Sequence, residues 1–203
     1  MLMGAAPVDV RAQPELRIRN ASQLESIALV TSPLEQAAAR IVEIPDYPEP
    51  GVIFRDVMPL LSDAECLRTV VTAMLEPWGG KFDVVAGIEA RGFLLAGAAA
   101  TLANVGLVPI RKAGKLPRPA ASVTYTLEYG TAEIEIQDDI APGTRVLLMD
   151  DVLATGGTLG AAVELVRKIG AEPIGSTVLM ELTELGGRAV VGDAHDVRSL
   201  FVN

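Results

Sequence analysis

Hydrophobic and polar positions along this chain follow two periods, and the second half alternates between them. Phe82–Ile88 is a short apolar run of the kind that forms a strand buried on both faces. Arg91–Ala103 is rich in Ala and Leu and reads as a helix. Gly106–Ile110 is a short strand, and residues 112–123 read as a loop rich in Gly and Pro. Ala132–Gln137 alternates apolar and polar, as an edge or antiparallel strand does. Arg145–Met149 is a further apolar strand. Thr158–Ile169 puts Leu159, Ala162, Val163, Val166 and Ile169 on one helical face, with Arg167 and Lys168 in the last turn and Gly170 as the stop. Ile174–Met180 closes the series as another strand. Strand–helix–strand alternation predicts an α/β fold with a mainly parallel sheet and right-handed crossovers.

The first half is less regular. Residues 1–31 show weak periodicity around Gly4, Pro7 and Pro14 and read as a loosely ordered extension with a short helix near Gln23–Leu29. Ser32-Pro33-Leu34-Glu35 is a helix start, with Ser32 as cap, Pro33 at the first helical position and Glu35 completing a capping box. That helix is expected to run to about Val42. The segment Pro45-Asp46-Tyr47-Pro48-Glu49-Pro50-Gly51 is too rich in turn residues for regular helix. The expected organisation is an extension over 1–31 and one domain over 32–203.

Composition narrows the classes. Half of the 203 residues are hydrophobic, enough for one domain with a sizeable core. No apolar run reaches the roughly 18 residues of a membrane span, and residues 1–10 carry no secretory pattern. The single cysteine, Cys66, excludes an intrachain disulfide and a thiolate metal cage, and suits a reducing, cytoplasmic setting. The net charge of −9 argues against a nucleic-acid partner, whose phosphates most of the surface would repel. One window reverses the sign: Arg111, Lys112, Lys115 and Arg118 suggest a small, highly charged ligand. His195, the lone histidine, lies in a polar C-terminal stretch, where a surface or dimer-contact role is expected.

The chemistry concentrates in Val146-Leu147-Leu148-Met149-Asp150-Asp151-Val152-Leu153-Ala154-Thr155-Gly156-Gly157-Thr158. An apolar strand ends in two carboxylates, a small turn with hydroxyls and glycines follows, and a helix begins. Backbone N–H groups at a helix N-terminus make an anion site suited to a phosphomonoester. Two carboxylates beside such a site make sense as acceptors for vicinal hydroxyls, and phosphate plus diol suggests a ribose 5-phosphate. Neither G-x-x-x-x-G-K-[ST] nor G-x-G-x-x-G occurs, which excludes the common ATPase and dinucleotide loops.

This stretch resembles the phosphoribosyl pyrophosphate signature of the type I phosphoribosyltransferases. The resemblance implies that Asp150 and Asp151 hold the ribose hydroxyls and that Ala154, Thr155, Gly156, Gly157 and Thr158 cradle the 5′-phosphate. It also implies that family's architecture: a mainly parallel sheet flanked by helices, an N-terminal hood over 44–60, and a flexible catalytic loop. Three further segments resemble the adenine-specific branch. Pro50-Gly51-Val52-Ile53-Phe54-Arg55-Asp56 is similar to its base-binding hood, so that Ile53 backbone groups would read adenine, Phe54 would pack on the ring with Arg55 beside it, and Val152 would take the opposite face. Gly87-Ile88-Glu89-Ala90-Arg91-Gly92-Phe93 resembles the pyrophosphate loop, with Glu89, Ala90 and Arg91 as contacts and a cis peptide at Glu89–Ala90. Arg111-Lys112-Ala113-Gly114-Lys115-Leu116-Pro117 and Tyr125-Thr126-Leu127-Glu128-Tyr129-Gly130 resemble the mobile loop and its closing strand. By this resemblance Arg111, Lys112 and Lys115 meet the pyrophosphate, and Glu128, Arg91 and Lys115 are the catalytic candidates. The second proline of Lys115-Leu116-Pro117-Arg118-Pro119 departs from the usual pattern.

The activity so implied joins adenine to phosphoribosyl pyrophosphate, giving AMP and pyrophosphate, with Mg²⁺ held mainly by substrate and a homodimer as the assembly. Neither nucleic acid nor membrane is an expected partner. Two readings stand beside it: a phosphoribosyltransferase for another base such as xanthine or orotate, and a regulator that senses phosphoribosyl pyrophosphate.

Overall fold

The computed structural model describes residues 32–126 and 130–203. The expected extension over 1–31, its helix near Gln23–Leu29, and the catalytic candidate Glu128 lie outside the described residues.

A seven-stranded sheet runs in the order β5-β6-β4-β3-β7-β8-β9. Five neighbouring strands are parallel: β4 (Gly106–Lys112), β3 (Val84–Ile88), β7 (Arg145–Leu153), β8 (Glu172–Glu181) and β9 (Val197–Val202). The antiparallel pair β5 (Pro119–Thr126) and β6 (Thr131–Gln137) extends the sheet from the end of β4, where Arg111 lies opposite Glu135.

Strand β7 shows why the sheet is covered on both sides. Val146 and Leu148 join one apolar cluster with Leu159, Ala162, Val163 and Val166 of α5 (Gly157–Lys168). Leu147 and Met149 join the other, with Val70, Val71 and Met74 of α3 (Ala64–Leu75) and Leu95, Ala96 and Ala99 of α4 (Gly92–Ala103). A period of two feeds alternate side chains to opposite faces, so a strand covered on both reads as continuously apolar. At the other end of β7 from the carboxylates, Arg145 forks onto Asp83 at 2.6 and 3.0 Å, and these bonds hold the Asp83 carboxyl down to about 2.

Several elements differ from expectation. Helix α1 (Pro33–Ala38) stops short of Val42, because Val42-Glu43-Ile44-Pro45 forms β1 and pairs antiparallel with β2 (Ile53–Asp56). The turn-rich segment joins these two strands as a hairpin, and its Tyr47–Pro48 bond is cis. Residues 112–123 are not wholly loop. Pro119–Thr126 is a strand, with Val123 turned into the core and its pairing irregular next to Pro119, as the missing N–H of proline at a sheet edge allows. Strand β7 continues past Met149 to Leu153, so both aspartates lie within it: Asp150 pairs with Val178 and Val152 with Met180. Helix α3, which the periodicity did not single out, is capped by Asp63, whose carboxylate accepts from Glu65 and Cys66 N–H at 3.0 Å. A short helix α2 (Met58–Leu61) precedes it, and α6 (Gly187–Val191) follows β8. Among the described residues no helix is long and apolar enough to cross a membrane.

His195 is not a surface residue. It is 7% exposed and its Nε2 lies 2.7 Å from the hydroxyl of fully buried Ser176. Burial pushes its pKa down, Arg167 adds to this, and Asp196 opposes it. The native state therefore binds the proton less readily than the unfolded chain, and stability falls as pH drops through the ordinary histidine range near about 6.5. His195→Ala is expected to be less stable at pH 7.5 by about 1–3 kcal/mol, since Ser176 loses its partner. Its urea midpoint should nevertheless change less between pH 7.5 and 5 than that of the parent, and equal slopes would contradict this assignment.

Candidate active site

The carboxyl ends of β3, β4 and β7 open on one cavity of about 550 Å³. Glu89, Ala90, Arg91, Lys112, Ala113, Tyr125, Ala132, Glu133, Asp150, Asp151 and Thr158 line it. Ligands of open parallel sheets bind at this end of the strands.

Asp150 and Asp151 are held at the cavity by backbone. The Asp150 carboxylate accepts the Asp151 N–H at 2.8 Å. The start of α4 packs so closely on this strand end that a Cβ on Gly92 would sit 2.8 Å from Met149 O and 2.9 Å from Asp150 Oδ1. Burial pushes the Asp150 carboxyl well above the usual range, and the neighbouring Asp151 adds to it. Asp151 is 6% exposed, and Arg91 Nε lies 2.8 Å from its Oδ2. The contact is an ion pair rather than an aligned hydrogen bond, so this buried oxygen lacks a directed donor. Such an acceptor suits a ligand hydroxyl.

Arg91 faces two ways. Its guanidinium carbon also lies 5.3 Å from the centre of the Phe54 ring, against which Tyr47 packs edge-on at 5.3 Å. The hairpin β1–β2 is thereby tied to the strand-end carboxylates through one cation. The peptide Glu89–Ala90 is cis.

The turn after β7 begins α5. Gly156 has φ +82°, and a Cβ there would run into the carbonyl oxygen of Gly187. Thr158 projects from this turn into the cavity, and its hydroxyl donates to the Tyr125 hydroxyl at 3.2 Å. Ala154, Thr155, Gly156 and Gly157 form the rest of the turn beside it.

The basic window is divided. Lys112 lines the cavity. Arg111 is engaged by Glu89 at 3.3 Å and by the Lys115 carbonyl at 3.2 Å, and its guanidinium carbon lies 6.0 Å from the Phe93 ring centre. The Lys115 side chain is exposed and does not line the cavity, and Arg118 pairs with Asp139 at 2.9 Å. Of the hood residues, Phe54 is half-buried beside Arg91, and Ile53 is exposed. The Arg55 side chain is not brought to the cavity. It pairs with Glu43 at 3.3 Å and meets the Asn203 side chain. Val152 is half-buried in β7 outside the cavity lining.

Sequence reasoning missed Tyr125, Glu133 and Glu135. Glu135 is 4% exposed and accepts the N–H groups of Lys115 at 2.9 Å and Leu116 at 2.7 Å. Burial alone would raise its pKa, but the bonds from Leu116, Gly114 and Lys115 outweigh it and hold the carboxyl below its ordinary value. The turn over 113–116 is thus fastened to the sheet, and the available signal was a Glu directly between Ile134 and Ile136.

Strand-end carboxylates, a glycine-rich turn at a helix start and cations around one cavity make a site suited to a small ligand with both anionic groups and hydroxyls. Residues 67–200 match the family model described as phosphoribosyl transferase domain. An adenine phosphoribosyltransferase of Renibacterium salmoninarum is 52% identical over 167 residues, which cover 82% of this chain and 91% of that protein. The crystal structure of adenine phosphoribosyltransferase from Rhodothermus marinus has 44% identity and a TM-score of 0.80, covering 84% of this chain and 98% of that one. That of the Giardia lamblia enzyme, complexed with 9-deazaadenine, has 40% identity and a TM-score of 0.80, covering 85% and 99%. The chain belongs to the phosphoribosyltransferase family, within its adenine phosphoribosyltransferase branch.

Amide hydrogen exchange tests the role of Glu135. Glu135→Ala should speed exchange at Lys115 and Leu116 by about tenfold or more. Glu135→Gln keeps an acceptor oxygen and should show a smaller effect. Unchanged exchange in the alanine variant would mean that other contacts hold this turn.

Proposed function

We infer that this protein is an adenine phosphoribosyltransferase, which joins adenine to phosphoribosyl pyrophosphate and releases AMP and pyrophosphate. The observation that carries the reading is half-buried Asp150 and buried Asp151 facing one cavity together with Arg91, Lys112 and the Thr158 turn. In this reading Asp150 and Asp151 accept the ribose hydroxyls, and the unsupplied Asp151 Oδ2 takes one of those donors. Ala154, Thr155, Gly156, Gly157 and Thr158 hold the 5′-phosphate with backbone N–H groups and hydroxyls at the start of α5. Glu89, Ala90, Arg91 and Lys112 surround the pyrophosphate, Arg111 and Lys115 adding positive charge from behind. Phe54 and Val152 are the apolar faces for adenine, with Ile53 backbone groups at its edge. Glu128 remains the candidate for handling the purine proton.

The reaction in this reading is displacement at the anomeric carbon. Holding the ribose at two hydroxyls and at its phosphate fixes that carbon relative to the base, which converts binding energy into orientation. Arg91 neutralises the departing charge in a partly water-excluded pocket, where a fixed cation acts more strongly than in bulk solvent. Mg²⁺ fits the donor set. The cavity wall carries four carboxylates, Glu89, Glu133, Asp150 and Asp151, against two cations, Arg91 and Lys112. A polyanion enters such a wall more readily with a divalent ion than bare. In this reading the ion is carried mainly on substrate oxygens and water. When bound, that ion supplies charge neutralisation to the leaving group.

We also propose a cytoplasmic homodimer, for which exposed Leu94, Leu102 and Leu107 on α4 and β4 offer apolar surface, and residues 32–203 as the phosphoribosyltransferase domain with 1–31 appended.

Pyrophosphate release should be measured with Mg²⁺, phosphoribosyl pyrophosphate and one base at a time: adenine, hypoxanthine, guanine, xanthine, orotate and uracil. Adenine should be the base that supports release. Release with another base alone would discard the hood assignment, and none with any base would favour the sensing reading. Asp150→Asn together with Asp151→Asn should lower turnover by more than about tenfold, and a smaller loss would refute the ribose-holding role.

A further inference from the structure

The turn that follows β7 is held from behind by a segment outside the phosphate motif. Leu153, the last residue of β7, pairs in register with Glu181 at the end of β8, and the Leu182 N–H donates to Leu153 O at 2.9 Å. The chain then turns through Thr183–Leu185 and returns as α6, whose buried Gly187 meets the phosphate turn. The approach is mutual: a Cβ on Gly156 would run into Gly187 O, and a Cβ on Gly187 would run into Ala154 O. The turn cannot move toward α6 without collision, and α6 cannot withdraw without leaving it unsupported.

Arg188, the next residue, fixes α6 in that place. Its Nε donates to Glu181 Oε1 at 3.0 Å and a terminal nitrogen donates to Glu181 Oε2. That same nitrogen also donates to Ser199 Oγ at 3.0 Å, and the other terminal nitrogen donates to Val197 O at 2.6 Å. Ser199 Oγ in turn donates to Glu181 Oε2. Glu181 is 6% exposed, and this pairing holds its carboxyl below the ordinary range despite burial. A planar fork bonded in four directions fixes orientation as well as distance, which a lysine does not reproduce.

We propose that Arg188, clamped by Glu181, Ser199 and Val197 O, is a positioning residue for the phosphate turn: it seats Gly187 against Ala154 and Gly156 and so sets the affinity for the 5′-phosphate. The proposal rests on the reading of residues 154–158 as the 5′-phosphate site. It separates the two phosphate-bearing ligands, because AMP uses this turn and free pyrophosphate does not.

Calorimetric titration of the full-length protein with AMP and with Mg²⁺-pyrophosphate tests it. Arg188→Ala should raise the AMP Kd and the KM for phosphoribosyl pyrophosphate by about tenfold, leaving pyrophosphate Kd, adenine KM and kcat within about twofold. Arg188→Lys should recover only a minor part of the loss, since it restores charge without the fork. Glu181→Gln keeps the shape of the clamp, covers the case in which the alanine variant does not fold, and should raise the AMP Kd about threefold. Thr155→Val with Thr158→Val tests the underlying reading. If that pair weakens AMP while Arg188→Ala and Glu181→Gln do not, the clamp is wrong and the phosphate site stands. If none of them weakens AMP, the phosphate site itself falls and the clamp with it. Equal weakening of AMP, pyrophosphate and adenine in Arg188→Ala would overturn the proposal in favour of general destabilisation.

Discussion

Burial of β7 on both faces is the constraint on which the rest depends. Val146 and Leu148 are locked against α5, and Leu147 and Met149 against α3 and α4. A strand packed on both sides cannot slip by one residue without exchanging every contact. Asp150 and Asp151 therefore emerge at fixed height at the edge of the core, and the turn to α5 begins at a fixed point after them. Two adjacent carboxylates at the margin of an apolar core are costly. The molecule offsets this locally, with the Asp151 N–H on Asp150 and Arg91 on Asp151.

Backbone contact is the second condition. The starts of α4 and α5 both lie against backbone without an intervening side chain, at Gly92 over Asp150 and at Gly156 against Gly187. The ring of groups around the cavity is consequently carried by helix starts and strand ends rather than by long loops, an arrangement that limits how far each can drift. The Glu135 carboxylate does the same for the turn over 113–116, part of the segment that resembles the family's mobile loop.

How much of this was legible follows from the range of the forces involved. The parallel strands, the helix after the double acid and the glycine-rich turn between them are written in local periodicity and in residue types required at one place, and they could be read. Strand β5 could not, because Gly114, Pro117 and Pro119 mask an alternation that is stabilised only when β6 lies alongside. His195 was assigned a surface or dimer-contact role from its polar neighbours, yet it is buried with its ring against Ser176 of β8. Arg55 was read as lying beside the base, but the partners that turn its side chain away, Glu43 and Asn203, come from a neighbouring strand and the end of the chain. In each case a partner outside the segment itself decides the outcome, and no local pattern carries it.

The charge arrangement explains why an acidic chain can handle a polyanion. A strongly positive pocket would bind pyrophosphate but hold it as product. Here two cations, Arg91 and Lys112, share the wall with four carboxylates, and Arg111 is already committed to Glu89. Net attraction for a bare polyanion is small, and it grows when the ligand brings a divalent ion and hydroxyl donors that satisfy the carboxylates. In the proposed reading, such a wall would favour a sugar phosphate accompanied by a divalent ion over inorganic phosphate groups alone. Arg91 is central to that balance, because the same guanidinium neutralises Asp151 and packs on Phe54. A ligand that draws Arg91 toward its own phosphates must supply Asp151 with another donor. Among the groups of phosphoribosyl pyrophosphate, the ribose hydroxyls are the ones that can.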